Sequence, residues 1–454
     1  MVFSIIFALP LVAHVTFAAT SSYPTKPPFS TIQPALTDIR AAQATVMPAS
    51  PTSNVQGKAF NRIIQIWLEN TDYDKAAADP NMQWLQSQGI LLTNYWAVTH
   101  PSEPNYIAVV GGDDFGMEND DFNRVAKNVS TVVDLLDTKG ISWGEYQEDM
   151  PYPGFLGFNF TNQQNTSRND YVRKHNPLII FDSVTSNATR LPLIKNFTSF
   201  DSDLKAQTLP QWSFMTPNMT NDGHDTTITF ASIWARTFLE PLLKNPYFMN
   251  NTLVVLTFDE DDTYPESNKV FTVLLGGAIA GHENTTDDTF YNHYSMLSTV
   301  ELNWGLPSLG RWDCNANVLA LVANKTGYTN QKVDTKDLFF NASYPGPLSD
   351  SQWVPVWPVP ATNAKCATGS VLASVVSTWG KSDGSFDYTN VYPLANSSVS
   401  AGTSPSSTAS GTGSSTSSTS SPSSSTKPSA ANINIGSSCA LLLGLAGIVS
   451  AFIM

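Results

Sequence analysis

The sequence predicts an α/β protein, a three-layer α/β/α sandwich built around a mostly parallel sheet. Three observations lead to it. Apolar runs of strand length recur along the chain, most end on polar or acidic residues, and helical stretches lie between them. Strands this apolar have no side to turn toward water, so helices must cover both faces of their sheet.

The first run is Ile63-Ile64-Gln65-Ile66-Trp67-Leu68, which ends on Glu69-Asn70. Its β-branched start and polar end read as a buried strand. A helix is expected over Thr131–Lys139. Trp212-Ser213-Phe214-Met215 follows as a strand ending at Thr216-Pro217-Asn218, then a helix over Ile233–Lys244. Leu253 to Phe258 is the next strand, and it ends on Asp259-Glu260-Asp261-Asp262. Phe271 to Leu275 ends on Gly276-Gly277, and a helix over Ser295–Trp304 closes the series. In open sheets of this kind the ligand crevice lies at the carboxyl ends of the strands. Polar and acidic residues gather at those ends here.

No internal repeat is visible, and residues 61–395 read as one domain. Its core spans 61–310. A Pro- and Trp-rich appendage, 311–395, carries Trp353-Val354-Pro355-Val356-Trp357-Pro358 and is expected to pack on the core. Residues 19–60, rich in Pro, Ser, Thr and Ala, read as an extended lead-in.

The termini set an expectation about compartment. Val2 to Ala18 is an uncharged apolar run closing on Thr16-Phe17-Ala18, which reads as a signal peptide over residues 1–18. A short membrane anchor is the alternative, and the run is short for a span. Residues 396–430 are nearly all Ser, Thr, Gly and Pro, with nothing to bury, and read as an O-glycosylated stalk. Residues 431–454 end in the apolar run Cys439–Met454, without a basic flank. Small residues, a polar spacer and a terminal apolar tail in that order form a GPI-attachment signal, with Ser429 to Asn432 as the candidate attachment residues. The chain is therefore expected on the outer face of the plasma membrane or in the cell wall, with the GPI lipid or wall glucan as its anchor.

The net charge is -14. That excludes a nucleic-acid partner, which calls for a basic face. Sequons at Asn128, Asn159, Asn187, Asn196, Asn284, Asn324 and Asn341 fit a glycosylated, exported chain. Of three cysteines, Cys439 lies in the apolar tail. Cys314 and Cys366 remain, as a disulfide in an oxidising compartment or as two buried thiols.

The segment Thr99-His100-Pro101-Ser102-Glu103-Pro104-Asn105-Tyr106 reads as a rigid loop entering a helix. A serine there is either an N-cap or a nucleophile whose phosphate is met by backbone amides and the helix dipole. The acidic group at 259–262 is either a solvated turn or a cation site. The motifs around it bear on both choices. In chain order they are Glu69-Asn70, the His-Pro-Ser-x-Pro-Asn-Tyr segment at 100–106, Lys174-His175-Asn176-Pro177, Pro217-Asn218-Met219 with Asp222-Gly223-His224-Asp225, Thr257-Phe258-Asp259-Glu260, and His293-Tyr294-Ser295. With them the sequence resembles the phosphoesterase family of fungal acid phosphatases and bacterial phospholipases C, a branch of the alkaline-phosphatase-like superfamily.

The resemblance implies roles. Ser102 matches the nucleophile, and Asn105 a donor to a phosphate oxygen. Glu69, Asn70, Ser102, Asp259 and Glu260 match a metal cluster. Asp222, His224 and His293 match a second metal site or, without that metal, acid/base and phosphate contacts. His175 matches a further active-site contact. Two-zinc members pair Asp with His where this chain has Asp259-Glu260. An all-oxygen cluster favours a hard divalent cation, Ca²⁺, Mg²⁺ or Mn²⁺, over Zn²⁺, and leaves open whether one ion binds or two. The implied activity is hydrolysis of small phosphate monoesters through a phosphoserine. A phospholipase C-like phosphodiesterase and a non-catalytic wall glycoprotein are the alternatives.

Overall fold

Arg62–Leu68 (β1) and Thr252–Phe258 lie side by side at the centre of an eight-stranded sheet. Both come from a computed structural model that describes residues 29–384 and 386, apart from 337 and 342. The expected signal peptide, stalk and GPI-attachment signal lie outside the described residues.

In chain order the remaining strands of this sheet are Ile90–Leu92 (β2), Trp143–Gln147 (β3), Ile194–Asn196 (β4), Trp212–Thr216 (β5), Thr252–Phe258 (β6), Thr272–Leu275 (β7) and Thr285–Asp287 (β8). Their order across the sheet is β8-β2-β7-β6-β1-β5-β3-β4. Every neighbouring pair is parallel except those made by β7, which runs against both β2 and β6. All seven residues of β6 and all five of β5 are buried, so neither face of the central sheet meets water. The two outermost strands are three residues long, which leaves little unpaired edge.

Helices cover the sheet in two groups. Ser102–Gly111 packs on His293–Trp304, and Pro80–Ser87 packs on Ile228–Leu242. Capping boxes set two of the starts: Thr131 with Asp134 before Val132–Asp137, and Asn292 with Ser295 before His293–Trp304. The lead-in is not extended throughout, since Leu36–Thr45 is helical. The helix expected from Ile233 begins five residues earlier, at Ile228.

The appendage anchors the far end of the Ser102 helix. Gly112 ends that helix in the left-handed conformation (φ 72°), where a Cβ would stand 2.6 Å from Asp313 Oδ1. Buried Arg311 donates through Nη1 to Gly111 O at 2.6 Å and to Ser130 O at 2.9 Å. Cys314 and Cys366 form a disulfide that closes this region on itself.

Candidate active site

Ser102 is the first residue of the helix Ser102–Gly111, entered through a cis His100–Pro101 bond. Prolines at 101 and 104 suit this start, because first-turn amides have no intrahelical acceptor to lose. Asn105 ties the loop down. Its Oδ1 accepts from the Val98 and Thr99 amides at 2.9 and 3.2 Å, and its Nδ2 donates to Thr99 O at 2.8 Å. Ser102 Oγ is thereby fixed over the strand ends. It donates to Glu69 Oε2 at 3.2 Å and lies 3.5 Å from Glu260 Oε1.

Glu69 and Glu260 follow the ends of adjacent strands, β1 and β6. Tyr106 donates its hydroxyl to Glu69 Oε1, and His175 Nε2 lies 3.1 Å from Glu69 Oε2. The His175 ring stacks on Tyr106, with centroids 5.3 Å apart, and its Nδ1 lies 3.5 Å from Asp222 Oδ2. Asn70 and Asn105 both donate to Glu260, at 2.7 and 3.3 Å. The Glu69 amide donates to Asp222 O at 2.9 Å, and Asp222 Oδ1 accepts the His224 amide at 2.8 Å. His224 is the exposed member of the group, with Nδ1 3.1 Å from Asp225 Oδ1. Lys174 Nζ lies 3.2 Å from His224 Nε2 and 2.8 Å from Asp120 Oδ2.

The structure thus brings together Glu69, Asn70, Ser102, Asn105, His175, Asp222, His224 and Glu260. Asp259, between β6 and Glu260, adds its charge to the same cluster. His293 takes a different position from the one the resemblance implied. Its Nε2 meets the backbone O of Asp259 at 2.6 Å, its Nδ1 meets the Tyr95 hydroxyl at 3.1 Å, and its ring lies 4.3 Å from that of Trp67. With both ring nitrogens engaged, His293 props the Asp259 main chain rather than offering a ligand atom beside Asp222 and His224. Asn105 likewise has its amide committed to the loop and to Glu260.

Electrostatics separates these groups. Burial alone would raise Glu69, but the charge and hydrogen bond of His175, with Lys174 and His224, pull it down to about 2. Burial pushes Asp222 up to about 7, with His175 opposing and Glu69 adding to the rise. Burial and then the charges of Glu69 and Glu260 push Asp259 well above the usual carboxylate range. Glu260 is pushed the same way by burial, Asp120 and Glu69. Burial would lower His175, but Glu69 and Asp222 raise it. His224 is lowered by burial, with His175 and Lys174 acting in the same sense against Glu69. Burial lowers His293 to about 3.

The donor chemistry fits a metal ion. Both carboxylate oxygens of Asp259 are buried and accept no well-directed hydrogen bond from the described residues, and Asn70 Oδ1 is in the same condition. Buried carboxylates so placed repel one another unless protons or a cation intervene. Glu69, His175 and His224 also offer ligand atoms that all lie within 4.8 Å of one another.

Some residues near the site carry no role in the sequence reading. Tyr106 sits one position past Asn105, and Lys174 one before His175, both inside motifs that drew attention to their neighbours. Asp120 belongs to a run of polar residues with no pattern to mark it. His100, two positions before Ser102, pairs through Nε2 with Asp261 Oδ1 at 3.1 Å beneath the Tyr264 ring.

Residues 71–307 match the model of the phosphoesterase family. The chain belongs to that family. This phosphoesterase is 60% identical over 371 residues to an acid phosphatase of Aspergillus fumigatus, covering 81% of this chain and 83% of that one. It is 56% identical over 362 residues to a phosphate-repressible acid phosphatase of Penicillium chrysogenum, covering 79% and 87%. Among solved structures, it is similar to a protein in the alkaline phosphatase superfamily from Vibrio parahaemolyticus. That match has 14% identity and a TM-score of 0.35, and it covers 59% of this chain and 73% of that one.

Proposed function

We propose that this phosphoesterase is a secreted acid phosphatase, hydrolysing phosphate monoesters to an alcohol and inorganic phosphate through a phosphoserine at Ser102. The observation that carries this reading is Ser102 Oγ, buried at a helix N-terminus and shared between Glu69 and Glu260. The names of the two fungal relatives support the same substrate class.

A divalent ion held by Glu69, Asn70, Ser102, Asp259 and Glu260, flanked by Asp222, His175 and His224, would supply Lewis-acid stabilisation of the phosphoryl oxygens. The donor set admits calcium, magnesium, manganese or zinc. Ser102 Oγ attacks phosphorus in line, and its proton passes to Glu69 Oε2. The helix N-terminus faces the negative charge that develops. The bond from phosphorus to the alcohol oxygen breaks, and that oxygen takes a proton from His224, the site histidine open to solvent. Water then attacks the phosphoseryl phosphorus and gives a proton to His224. Ser102 Oγ leaves, recovers its own proton, and phosphate departs.

An acidic optimum follows from His224. Its proton affinity is lowered, so the proton it must donate is present only in acid. Export, anchoring through GPI and the final place at the membrane or wall belong to the same reading and rest on the two terminal signals.

The test is p-nitrophenyl phosphate hydrolysis by the exported protein between about pH 3 and about pH 9, with and without EDTA. Turnover peaking below neutrality, lost in Ser102→Ala without loss of folding, is expected. Ser102→Ala with wild-type kcat overturns the nucleophile. Phosphocholine release from phosphatidylcholine, with no phosphate from p-nitrophenyl phosphate, would make the protein a phosphodiesterase.

A further inference from the structure

The carboxylates at this site outnumber its fixed cations. Glu69, Asp120, Asp222, Asp259 and Glu260 all act on the ground a phosphate must enter. Beside the ion these carboxylates would hold, a positive side chain aimed at the site strengthens its attraction for an anion.

Lys174 has the position for that task. Its side chain is 15% exposed, so it lies mostly buried at the edge of the cluster with part of it still open to solvent. It lies 2.8 Å from Asp120 Oδ2, and Asp120 Oδ1 accepts the amide of Glu103, the residue after Ser102, at 2.9 Å. On its other side it lies 3.2 Å from His224 Nε2. Lys174 is therefore tethered to the first turn of the nucleophile's helix by one partner and to His224 by another. Neither partner uses more than one of its three N–H groups.

We propose that Lys174 Nζ binds a terminal oxygen of the substrate phosphate and selects monoesters over diesters. A monoester presents three terminal oxygens and a diester two, so an ammonium placed to take the third rewards only the monoester. On substrate entry Lys174 turns from His224 to that oxygen, which leaves His224 Nε2 to face the departing alcohol. This inference rests on the phosphatase reading and names the residue that sets its substrate class.

Inorganic phosphate serves as the probe, titrated calorimetrically into the exported protein as wild type, Lys174→Met and Asp120→Asn. Loss of one charge-assisted hydrogen bond corresponds to about 10- to 100-fold in affinity. Lys174→Met is expected to weaken phosphate by that factor. Asp120→Asn keeps an oxygen for the Glu103 amide but frees the ammonium, and it is expected to bind phosphate as tightly as wild type or tighter. In parallel, the ratio of kcat/KM for p-nitrophenyl phosphate to that for bis(p-nitrophenyl) phosphate should fall about tenfold or more in Lys174→Met. The proposal is overturned if Lys174→Met binds phosphate like wild type, if both ester rates fall equally, or if Asp120→Asn loses as much as Lys174→Met. The last result would make the pair merely structural. Because the titration needs no turnover, failure of the phosphatase reading and failure of this one are told apart.

Discussion

Ser102 Oγ and His175 Nε2 converge on one carboxylate oxygen, Glu69 Oε2, at 3.2 and 3.1 Å. Ser102 and the histidine that keeps its acceptor ionised are thus neighbours of the same atom. Removing His175 would leave Glu69 buried with its charge poorly matched. His175→Ala is expected to lower stability by about 3–5 kcal/mol, as for a broken buried pair. Chemical denaturation would read that loss. Single-turnover kinetics should show phosphorylation of Ser102 slowed by about a hundredfold or more.

His224 is expected to serve the leaving oxygen. A group in that role matters most when the alcohol is a poor leaving group. His224→Gln should cost about a hundredfold or more in kcat with glycerol phosphate, and distinctly less with p-nitrophenyl phosphate. Equal losses on both substrates would assign His224 to binding instead. The alkaline limb of the rate profile should also flatten in this variant, since the wild-type limb follows loss of the His224 proton.

Stability should carry its own pH dependence. Glu145 on β3 and Glu301 on the helix His293–Trp304 are fully buried. Burial pushes both well above the usual carboxylate range, with Asp313 adding to the rise at Glu301. Above the unfolded glutamate pKa of about 4.3, the folded protein holds protons at these sites that the unfolded chain has begun to release. The native state then binds more protons than the unfolded state, so stability falls as pH rises above about 4. The melting temperature of the protein should be higher at about pH 5 than at about pH 8. Glu145→Gln should reduce that slope, whatever its absolute melting temperature.

The Cys314–Cys366 bond closes a loop with a sequence separation of 52. Chain entropy assigns such a closure about 4 kcal/mol at most. Cys314→Ser with Cys366→Ser should lower the unfolding free energy by about 2–4 kcal/mol. The Ser102 neighbourhood lies elsewhere, so kcat for p-nitrophenyl phosphate should change less than about twofold. A collapse of kcat in a folded double variant would show that the appendage positions the catalytic helix through Gly111 and Gly112.

The sequence exposed the fold where burial is continuous. β1, β5 and β6 are largely apolar runs because both faces of the central sheet are covered. β3 escaped notice because Gly144, Glu145 and Gln147 interrupt its pattern, although all its residues are buried. Apolar composition also says nothing about direction, so β7 was legible as a strand but its reversal was not. At the site, motif order marked Glu69, Ser102, His175, Asp222, His224 and Glu260, which the structure gathers through short contacts. Lys174 could not be read the same way, since its meaning lies in Asp120 and His224, each about fifty residues away in the chain. His293 shows the converse. Its place in a motif said nothing of the Tyr95 hydroxyl and Asp259 carbonyl that occupy its ring.

The reversal of β7 has a consequence for how this scaffold diversifies. A parallel successor to β6 would have carried the chain away from the Ser102 end through a crossover helix. An antiparallel one returns at the same end, so residues 259–271 form a turn at the Ser102 end of the sheet. Asp259 and Glu260 open that turn, Asp261 and Asn268 brace it against His100, and Tyr264 stands on its rim. Lengthening such a turn costs little free energy and leaves the strand register alone. The span between Asp262 and Ser267 is therefore where insertions can reshape the mouth of the site, and with it the range of alcohols admitted, without disturbing a single buried contact of the sheet.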